Sequence, residues 1–274
     1  LIPPGNAADI VERTFYLDLF NNSTFEQVPD GIIDNGAQGL VVSLTNPIVG
    51  RDFLRQGAAD MITLTRSIPL LDLDGDQAPD LDASRVHVLA VSLGTYVASQ
   101  FLGVDDSIVS ATMSHPGGSA SDSLFTSSEA KVFGVPLQQG LAGNGIVPGT
   151  LNYDQWVRDY QTVMDAGDPL SYAAAAAAGT PINAHLVFFD QAVINSATNN
   201  WSRAAGLVAA GAPGTADPTG VRALVSFDQG GHASILDPSA EVRDVDSGDV
   251  LSPPNPLVTV EMQTQAVSFS VTNG

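Results

Sequence analysis

The sequence predicts an α/β fold in which a mostly parallel sheet is flanked by helices. Apolar, strand-like runs alternate along the chain with segments of helical periodicity, which is typical of strands joined by helical crossovers. The chain has 274 residues, 44% of them hydrophobic, and can therefore bury the core of one large domain. No run of about 18 apolar residues occurs, so no segment is predicted to span a bilayer.

The predicted elements begin with an amphipathic helix over 51–67, whose apolar residues recur at helical spacing. Four strand-like runs follow, at 86–91, 107–114, 184–189 and 221–227. A helix from 93 to about 102 directly follows the first of these strands. The final segment, 257–271, alternates apolar and polar residues and predicts one or two antiparallel C-terminal strands.

The segment 117–180 differs in composition, with many Gly, Ser and Ala residues and an alanine tract at 173–178 that favours a helix. A helical insertion of this length after a strand predicts a cap or lid over a site. It would divide the core of the domain into a first part, 1–116, and a second part, 181–274. The alternative is a surface subdomain without a gating role.

The charge balance limits the partners of the chain. Its formal net charge is -20 with only 10 basic residues, which excludes nucleic-acid binding because a phosphate backbone would repel it. Such acidity suits a secreted or salt-adapted protein. The absence of cysteine excludes disulfides, thiolate metal sites and cysteine nucleophiles. Residues 1–5 are neither a starting Met nor a signal peptide, and they predict that the polypeptide begins partway through a longer gene product.

The strand-like run 86–91 ends at Ser92, and a helical segment begins directly behind it. This order is the signature of a nucleophile elbow, a sharp turn that exposes a serine hydroxyl. Strand and helix are expected to pass close together there, so the residues two positions before and after the serine should be small. They are Ala90 and Gly94, one methyl group from the commoner G-x-S-x-G. The alternative is that Ser92 only caps the helix.

A serine nucleophile needs an imidazole base, and the chain has four histidines. His87 lies within the serine strand and should point sideways into the packing. His185 begins a strand, at the edge opposite to the one where α/β sites form. His232 follows the strand 221–227 in a glycine-rich loop, late in the chain, where a Ser, Asp, His order places the base. His232 is therefore the predicted base; His115, after the second strand, is the weaker candidate and could line the pocket.

The acid should follow the strand before that of the base. Asp190 meets this requirement, because it ends an apolar strand at the edge of the sheet where the site must form. Asp228 also ends a strand but lies only four positions before His232 and is expected to shape that loop. Asp165 and Asp168 have the positions of helix-end residues.

Stabilisation of an oxyanion needs two backbone N–H groups. The first is predicted to be that of Leu93, which follows the serine at the start of a helix, where amides are unpaired and the local dipole is positive. The second should come from an early loop, and no His-Gly or Gly-Gly loop occurs in residues 1–85. Either the second donor is missing from this polypeptide or a loop at 46–51 supplies it.

An acidic loop precedes the serine strand. Its carboxylates are those of Asp72, Asp74, Asp76, Asp80 and Asp82. Hard oxygen ligands at alternate positions suit Ca²⁺, but Ala83 stands where an EF-hand requires a bidentate Glu. The loop is thus either a structural Ca²⁺ site of another kind, bracing the approach to Ser92, or a solvated acidic turn.

These residues predict an ester hydrolase, a lipase or carboxylesterase, that acts through an acyl-enzyme on Ser92 and requires no cofactor for its chemistry. The predicted substrate pocket contains His115, Phe125, Phe133, Leu137, Leu141 and Trp156. A non-catalytic module that binds a lipid or a partner is the alternative if the oxyanion site is incomplete. A peptidase or amide hydrolase stays open, because a triad does not choose its leaving group.

The chain resembles the α/β-hydrolase domain of large bacterial extracellular lipases, the virulence-factor or cef-like lipases. The matching segments are 12–15, 51–56, 72–82 leading into 86–87, the elbow, 115–118, 190–195 and 230–236. The resemblance implies an α/β-hydrolase fold, with Ser92 as nucleophile, Asp190 as acid and His232 as base. Ala90 stands where that family usually has Gly.

The same resemblance implies a secreted or cell-surface location in a bacterium and an ester or lipid substrate. It also implies an N-terminal part with the early strands and the oxyanion loop, which is absent from this polypeptide and is a candidate partner as a separate chain. Residues 1–5 would then be a remnant just after a strand of the central sheet.

Overall fold

A computed structural model describes residues 46–127, 130–131, 133–210, 222–272 and 274, together with 18, 21, 23–24 and 28–32. The chain divides into two compact units, 1–50 and 51–274. In the first unit, the carboxylate of Asp18 accepts hydrogen bonds from two backbone N–H groups, at 3.0 and 2.8 Å. The expectations for residues 1–5 and the matching segment 12–15 lie outside the described residues.

Helices and strands alternate from residue 47 onwards, as the sequence predicts. The helices are α1 (Pro47–Ser67), α2 (Leu93–Val104), α3 (Gly134–Gly143), α4 (Leu151–Met164), α5 (Ala173–Gly179), α6 (Asn195–Ala204) and α7 (Pro256–Thr272). The strands are β1 (His87–Val91), β2 (Ser110–Ser114), β3 (Ile182–Val187), β4 (Val208–Ala209), β5 (Arg222–Phe227), β6 (Val242–Arg243) and β7 (Val250–Ser252). Short 3₁₀ turns lie at 68–70 and 169–171, and a single π-helical turn spans 122–126.

In the described residues, five parallel strands form the central sheet in the order β1, β2, β3, β5, β4. The short strands β6 and β7 pair separately and antiparallel. This is the predicted α/β fold with a mostly parallel sheet. Since parallel strands end at one edge, the residues that follow β1, β2, β3 and β5 meet along that edge.

Both faces of the sheet are covered by helices. Along β3, Ile182, Ala184 and Leu186 point into a core shared with α2, α5 and α6, whereas Val187 points into a second core with α7. Alternate residues of a strand face opposite sides, and every residue of β3 is buried, so this strand is covered on both faces.

The alanine tract forms α5, which packs against α2 in the main core. The approach is close at the start of α5, where a Cβ placed on Gly103 of α2 would lie 3.0 Å from the Cβ of Tyr172, the residue before α5. The buried alanines of α5 therefore belong to the main core, while the division of the chain into a core and a cap over 117–180 stays a prediction.

The prediction of C-terminal strands over 257–271 is wrong, because this segment is the helix α7. The buried residues recur at helical spacing, and they are Val258, Thr259, Met262, Gln265, Ala266 and Phe269. Several of the remaining residues, such as Val260 and Val267, are apolar but exposed. Apolar residues on both faces of the helix produce an alternation that imitates a strand.

Smaller differences occur at element ends. The helix predicted from 51 begins at Pro47, since the side chain of Asn46 accepts hydrogen bonds from the first turn, at 3.2 and 3.3 Å. The strand predicted to end at Phe189 ends at Val187, because Phe189 has a left-handed backbone with φ of 65°. Among the described residues, no helix is long and apolar enough to cross a membrane.

Candidate active site

Ser92 stands between β1 and α2 with φ of 55° and ψ of -126°. This strained conformation turns the chain sharply from strand to helix, as an elbow requires. The N–H of Ser92 donates to the carbonyl of Ser114 at 3.0 Å, and its carbonyl accepts from the N–H and the hydroxyl of Thr95, at 2.8 and 2.6 Å. The hydroxyl of Ser92 makes no capping bond to the helix. It lies instead 2.7 Å from Nε2 of His232, so the helix-cap alternative does not describe this serine.

The expectation that Gly94 must be small for close packing is wrong. A Cβ placed on Gly94 would meet no described atom within 4 Å. Ala90, in contrast, is buried in the main core, where its methyl group is accommodated. The turn therefore depends on the backbone of Ser92 and its bonds to β2 and α2, and the departure from G-x-S-x-G does not distort it.

His232 follows β5 in a loop that hydrogen bonds hold on both sides. Gly230, with φ of 90°, donates to the carbonyl of Pro253 at 2.7 Å, and Gly231 donates to the hydroxyl of Ser234, also at 2.7 Å. A Cβ on Gly231 would collide with the backbone of Glu241. The two glycines thus let the loop approach its neighbours closely enough to carry His232 to the sheet edge.

Asp190 follows β3 and is buried, with 2% of its surface exposed. Its Oδ1 accepts the N–H groups of Ala192 and Val193, at 2.9 and 3.2 Å, and its Oδ2 lies 2.6 Å from Nδ1 of His232. The side chain of Asn195 holds the preceding turn, donating to the carbonyl of Val187 at 2.7 Å and accepting the N–H of Phe189 at 2.8 Å. The structure thus brings the predicted nucleophile, base and acid into one hydrogen-bonded series.

His115 also reaches Asp190, which the sequence did not predict. Its Nδ1 lies 3.1 Å from Oδ2 of Asp190, and its ring centroid lies 4.9 Å from that of His232. With 1% of its surface exposed, His115 is buried behind the series rather than on an open pocket wall. No periodicity links residue 115 to residue 190, so only the adjacency of β2 and β3 could have indicated the contact.

His185 does not lie at the far edge, as the sequence predicted, but within β3, fully buried against Phe227. Burial, together with the neighbouring His115, lowers the pKa of His185 to about 3. Asp228 is exposed and takes no part in the series. Asp165 and Asp168 are helix-end residues, as predicted: they follow α4 and begin the 3₁₀ turn.

The electrostatics of the series favour an ionised acid. Burial alone would raise the pKa of Asp190, but the hydrogen bonds from His115 and His232 outweigh burial and lower it well below its usual range. Burial lowers the pKa of His115, and the opposing effect of Asp190 is smaller. Asp190 is therefore a carboxylate at neutral pH and His115 a neutral imidazole.

The other five predicted pocket residues form two groups. Phe125 and Trp156 contact each other edge-to-face at 4.7 Å, and both contact Tyr160. Phe133, Leu137 and Leu141 lie at or on α3, half-buried. Tyr160 was missed although its signal was available. It lies on the buried face of α4 with Tyr153, Val157 and Met164, at helical spacing.

Of the two predicted sources of oxyanion donors, Leu93 lies at a helix start, as predicted, and the segment 46–51 does not form the predicted loop. Leu93 is the first residue of α2, where backbone N–H groups have no partner within the helix and point towards the helix start. Residues 47–51, in contrast, are not a loop but the first turn of α1. The source of the second donor stays a prediction.

Three of the five carboxylates in the acidic loop converge, namely those of Asp72, Asp74 and Asp80, all exposed. Both oxygens of Asp72 also accept backbone N–H groups across the loop, from Gly75 at 2.7 Å and Gln77 at 2.9 Å. Asp76 and Asp82 do not join the cluster; they bond to Ala78 and Ser84. His115, Asp190 and His232 also converge, but their N···O distances of 3.1 and 2.6 Å are those of N–H···O hydrogen bonds.

No protein-family model and no curated protein sequence matches the chain. Among solved structures, the chain is similar to acetyl xylan esterase 1 from Thermoanaerobacterium sp., with 14% identity and a TM-score of 0.49 over 76% of this chain and 57% of that one. It is similar to an acylaminoacyl peptidase from Pyrococcus horikoshii, with 13% identity and a TM-score of 0.45 over 80% of this chain and 28% of that one. It is also similar to a puromycin hydrolase, with 15% identity and a TM-score of 0.41 over 79% of this chain and 24% of that one. The chain thus spans between about a quarter and 57% of the length of these proteins.

Proposed function

We propose that the protein is a serine hydrolase that cleaves carboxylic esters through an acyl-enzyme on Ser92. The observation that carries this proposal is the continuous series from Ser92 Oγ to His232 Nε2, 2.7 Å, and from His232 Nδ1 to Asp190 Oδ2, 2.6 Å. It begins at a strained elbow and ends at a buried carboxylate. A serine that only capped a helix would need neither the strain nor the imidazole.

In the proposed acylation step, Oγ of Ser92 attacks the ester carbonyl while Nε2 of His232 takes its proton. Asp190 orients His232 and stabilises the imidazolium that forms. The N–H of Leu93 donates to the oxyanion at the start of α2, where the helix dipole is favourable. The tetrahedral intermediate then collapses, the ester C–O bond breaks, and His232 returns the proton to the leaving alcohol.

In the second half, water takes the place of the alcohol. His232 removes a proton from the water, the hydroxide adds to the acyl carbonyl, and the bond to Ser92 Oγ breaks as His232 returns the proton to the serine. The reaction consumes one water and releases a carboxylic acid. No redox step and no cofactor enters this balance.

For the substrate, we propose an ester with an apolar acyl chain, in a protein related to the extracellular virulence-factor lipases. The support is the aromatic group of Phe125, Trp156 and Tyr160, in the segment between the second and third strands that contribute to the site. Trp156 keeps partial exposure, so this group retains an accessible apolar surface. Secretion is proposed on the acidity of the chain and this resemblance alone.

The direct test is reaction of the purified protein with a fluorophosphonate probe, followed by mapping of the labelled peptide. We expect labelling at Ser92, none in Ser92→Ala, and strongly slowed labelling in His232→Ala. Ser247→Ala is the matched control, since this serine lies on an exposed turn after β6. Failure of the folded wild-type protein to react would overturn the catalytic proposal in favour of a binding module.

The substrate class is tested with p-nitrophenyl esters and p-nitroanilides that carry the same acyl group. We expect turnover of the ester and little of the anilide, and a gain on emulsified over dissolved esters if the protein is a lipase. An anilide turned over as fast as its ester would instead assign an amide hydrolase.

For the acidic loop, we propose a structural Ca²⁺ held by Asp72, Asp74 and Asp80. Three carboxylates whose oxygens lie within 4.8 Å of one another suit a hard cation. Ca²⁺ should then raise Tm in the wild-type protein but not in Asp74→Asn, with Asp76→Asn as the matched control. Equal melting with Ca²⁺ and with a chelator would instead assign a solvated acidic turn.

A further inference from the structure

One oxygen of Asp190 faces two imidazoles. Oδ2 lies 2.6 Å from Nδ1 of His232 and 3.1 Å from Nδ1 of His115, while Oδ1 is occupied by two backbone N–H groups. The mechanism proposed above uses only His232. His115 is thus a buried titratable group that contacts the acid but has no role in the proposed mechanism.

The backbone of His115 is held in an unfavourable conformation. Its φ is 57°, a left-handed value that is uncommon for residues other than Gly, although His, Asn and Asp adopt it more often than most. Its N–H donates to the carbonyl of His185 at 2.9 Å, and its carbonyl accepts from the hydroxyl of Thr95 at 3.4 Å. The same hydroxyl also binds the carbonyl of Ser92. The fold therefore maintains strain at this position and ties it to the elbow.

The protonation of His115 follows from its surroundings. Burial keeps the ring neutral, so it carries one N–H. Nδ1 faces the carboxylate, whereas Nε2 is buried and has no hydrogen-bond partner among the described residues. A hydrogen on Nε2 would leave a buried donor unpaired and Nδ1 facing a negative charge with its lone pair, which together cost several kcal/mol. The hydrogen is therefore on Nδ1.

We propose that His115 is a positioning residue of the active site, which donates a second hydrogen bond to Oδ2 of Asp190 and holds the carboxylate in line with His232. This inference rests on the function proposed above. A residue that only filled space would be better replaced by an apolar one, since Nε2 of His115 is left unsatisfied.

The second donor also changes the basicity of the acid. A carboxylate oxygen shared by two N–H groups attracts the proton of His232 less strongly than an oxygen held by one. Removal of His115 should therefore strengthen the hydrogen bond between Asp190 and the His232 imidazolium that forms during the reaction. The other titratable groups that act on these three residues are His185 on β3 and Tyr96 on α2.

The test compares two variants. His115→Ala removes the donor, while His115→Asn keeps an N–H donor at the position of Nδ1 and tolerates a left-handed backbone. For His115→Ala we expect kcat to fall about tenfold or more and the acidic limb of the kcat/KM profile to move up by about half to one pH unit. His115→Asn should retain the limb of the wild-type protein and most of its kcat. Equal damage in both variants, or an unmoved limb in His115→Ala, would overturn the proposal.

A measurement without turnover keeps the inference separate from the proposed function. ¹⁵N NMR of protein labelled at histidine distinguishes the two neutral tautomers, and the His115 signal is assigned by its loss in His115→Asn. We expect the Nδ1–H tautomer of a neutral ring between pH 6 and 8. The Nε2–H tautomer would refute the contact with Asp190 even in an active enzyme, and it can be read whether or not His115→Ala folds.

Discussion

The most informative single change is Asp190→Asn, which keeps the size of the side chain and removes one acceptor. The carboxylate accepts four hydrogen bonds, two on each oxygen, and an amide has only one oxygen. Whichever way the amide is oriented, its NH₂ group faces two N–H groups. Two hydrogen bonds to a charged acceptor are lost, each worth about 1.5–3 kcal/mol.

The protein can reduce this loss only by moving a proton. If the amide NH₂ faces the imidazoles, His232 must carry its hydrogen on Nε2 so that Nδ1 can accept. Nε2 then has no lone pair for the proton of Ser92. We therefore expect kcat to fall about 10⁴-fold because His232 is held in the wrong tautomer. We expect a smaller relative effect on KM.

The assay is steady-state hydrolysis of a p-nitrophenyl ester, with urea unfolding of the same samples to show that they are folded. Asp228→Asn is the matched control, because Asp228 also follows a strand of the site but is exposed. It should retain activity within about twofold, as surface changes usually do. An Asp190→Asn variant within tenfold of the wild-type rate, or a larger loss in Asp228→Asn, would refute the assignment of the acid.

Three further predictions concern packing and pH. Gly231→Ala should lower the free energy of unfolding by about 1–3 kcal/mol and reduce kcat, because the added Cβ collides with the backbone of Glu241. Gly94→Ala, measured in the same urea unfolding and ester hydrolysis assays, should leave both quantities nearly unchanged. Asp168→Asn should cost about 2–4 kcal/mol in urea unfolding, because this buried carboxylate accepts three backbone N–H groups and a glutamine N–H, while Asp165→Asn, at an exposed helix end, should cost under about 1 kcal/mol. The folded-state pKa of His185, about 3, lies below its usual 6.5, so the unfolded chain binds the extra proton first and stability falls as pH drops below about 6.5. Between pH 7.5 and 5 this histidine alone should cost about 2 kcal/mol, and His185→Gln should flatten the slope; a stability that rises on acidification would contradict the burial argument.

The sequence predicted the fold and the three members of the series because each rests on a local rule. A short apolar run ended by Ser92 or Asp190 predicts a parallel strand with a polar residue at its carboxyl end, and the structure bears out that placement. Contacts between distant segments carry no such signal. His115 contacts Asp190 only because β2 lies beside β3. Ser234 holds the His232 loop only because the N–H of Gly231 donates to its hydroxyl. The helix α7 was missed for a different reason, since apolar residues on both its faces imitate a strand.

The four strand ends that meet at the site have a common backbone feature. Ser92 follows β1, His115 follows β2 and Phe189 lies just beyond β3, with φ of 55°, 57° and 65°; Gly230 lies beyond β5 with φ of 90°. For the three residues that are not glycine, this conformation costs on the order of 1–3 kcal/mol each. Ordinary strand ends avoid it, so its repetition along one edge is not a consequence of sheet formation. The hydrogen bonds of Thr95, His185 and Asn195 maintain these turns, and each turn directs a polar group to one point. Backbone strain is thus concentrated where Ser92, His115, Asp190 and His232 converge, and its concentration there supports the proposed catalytic role of this edge.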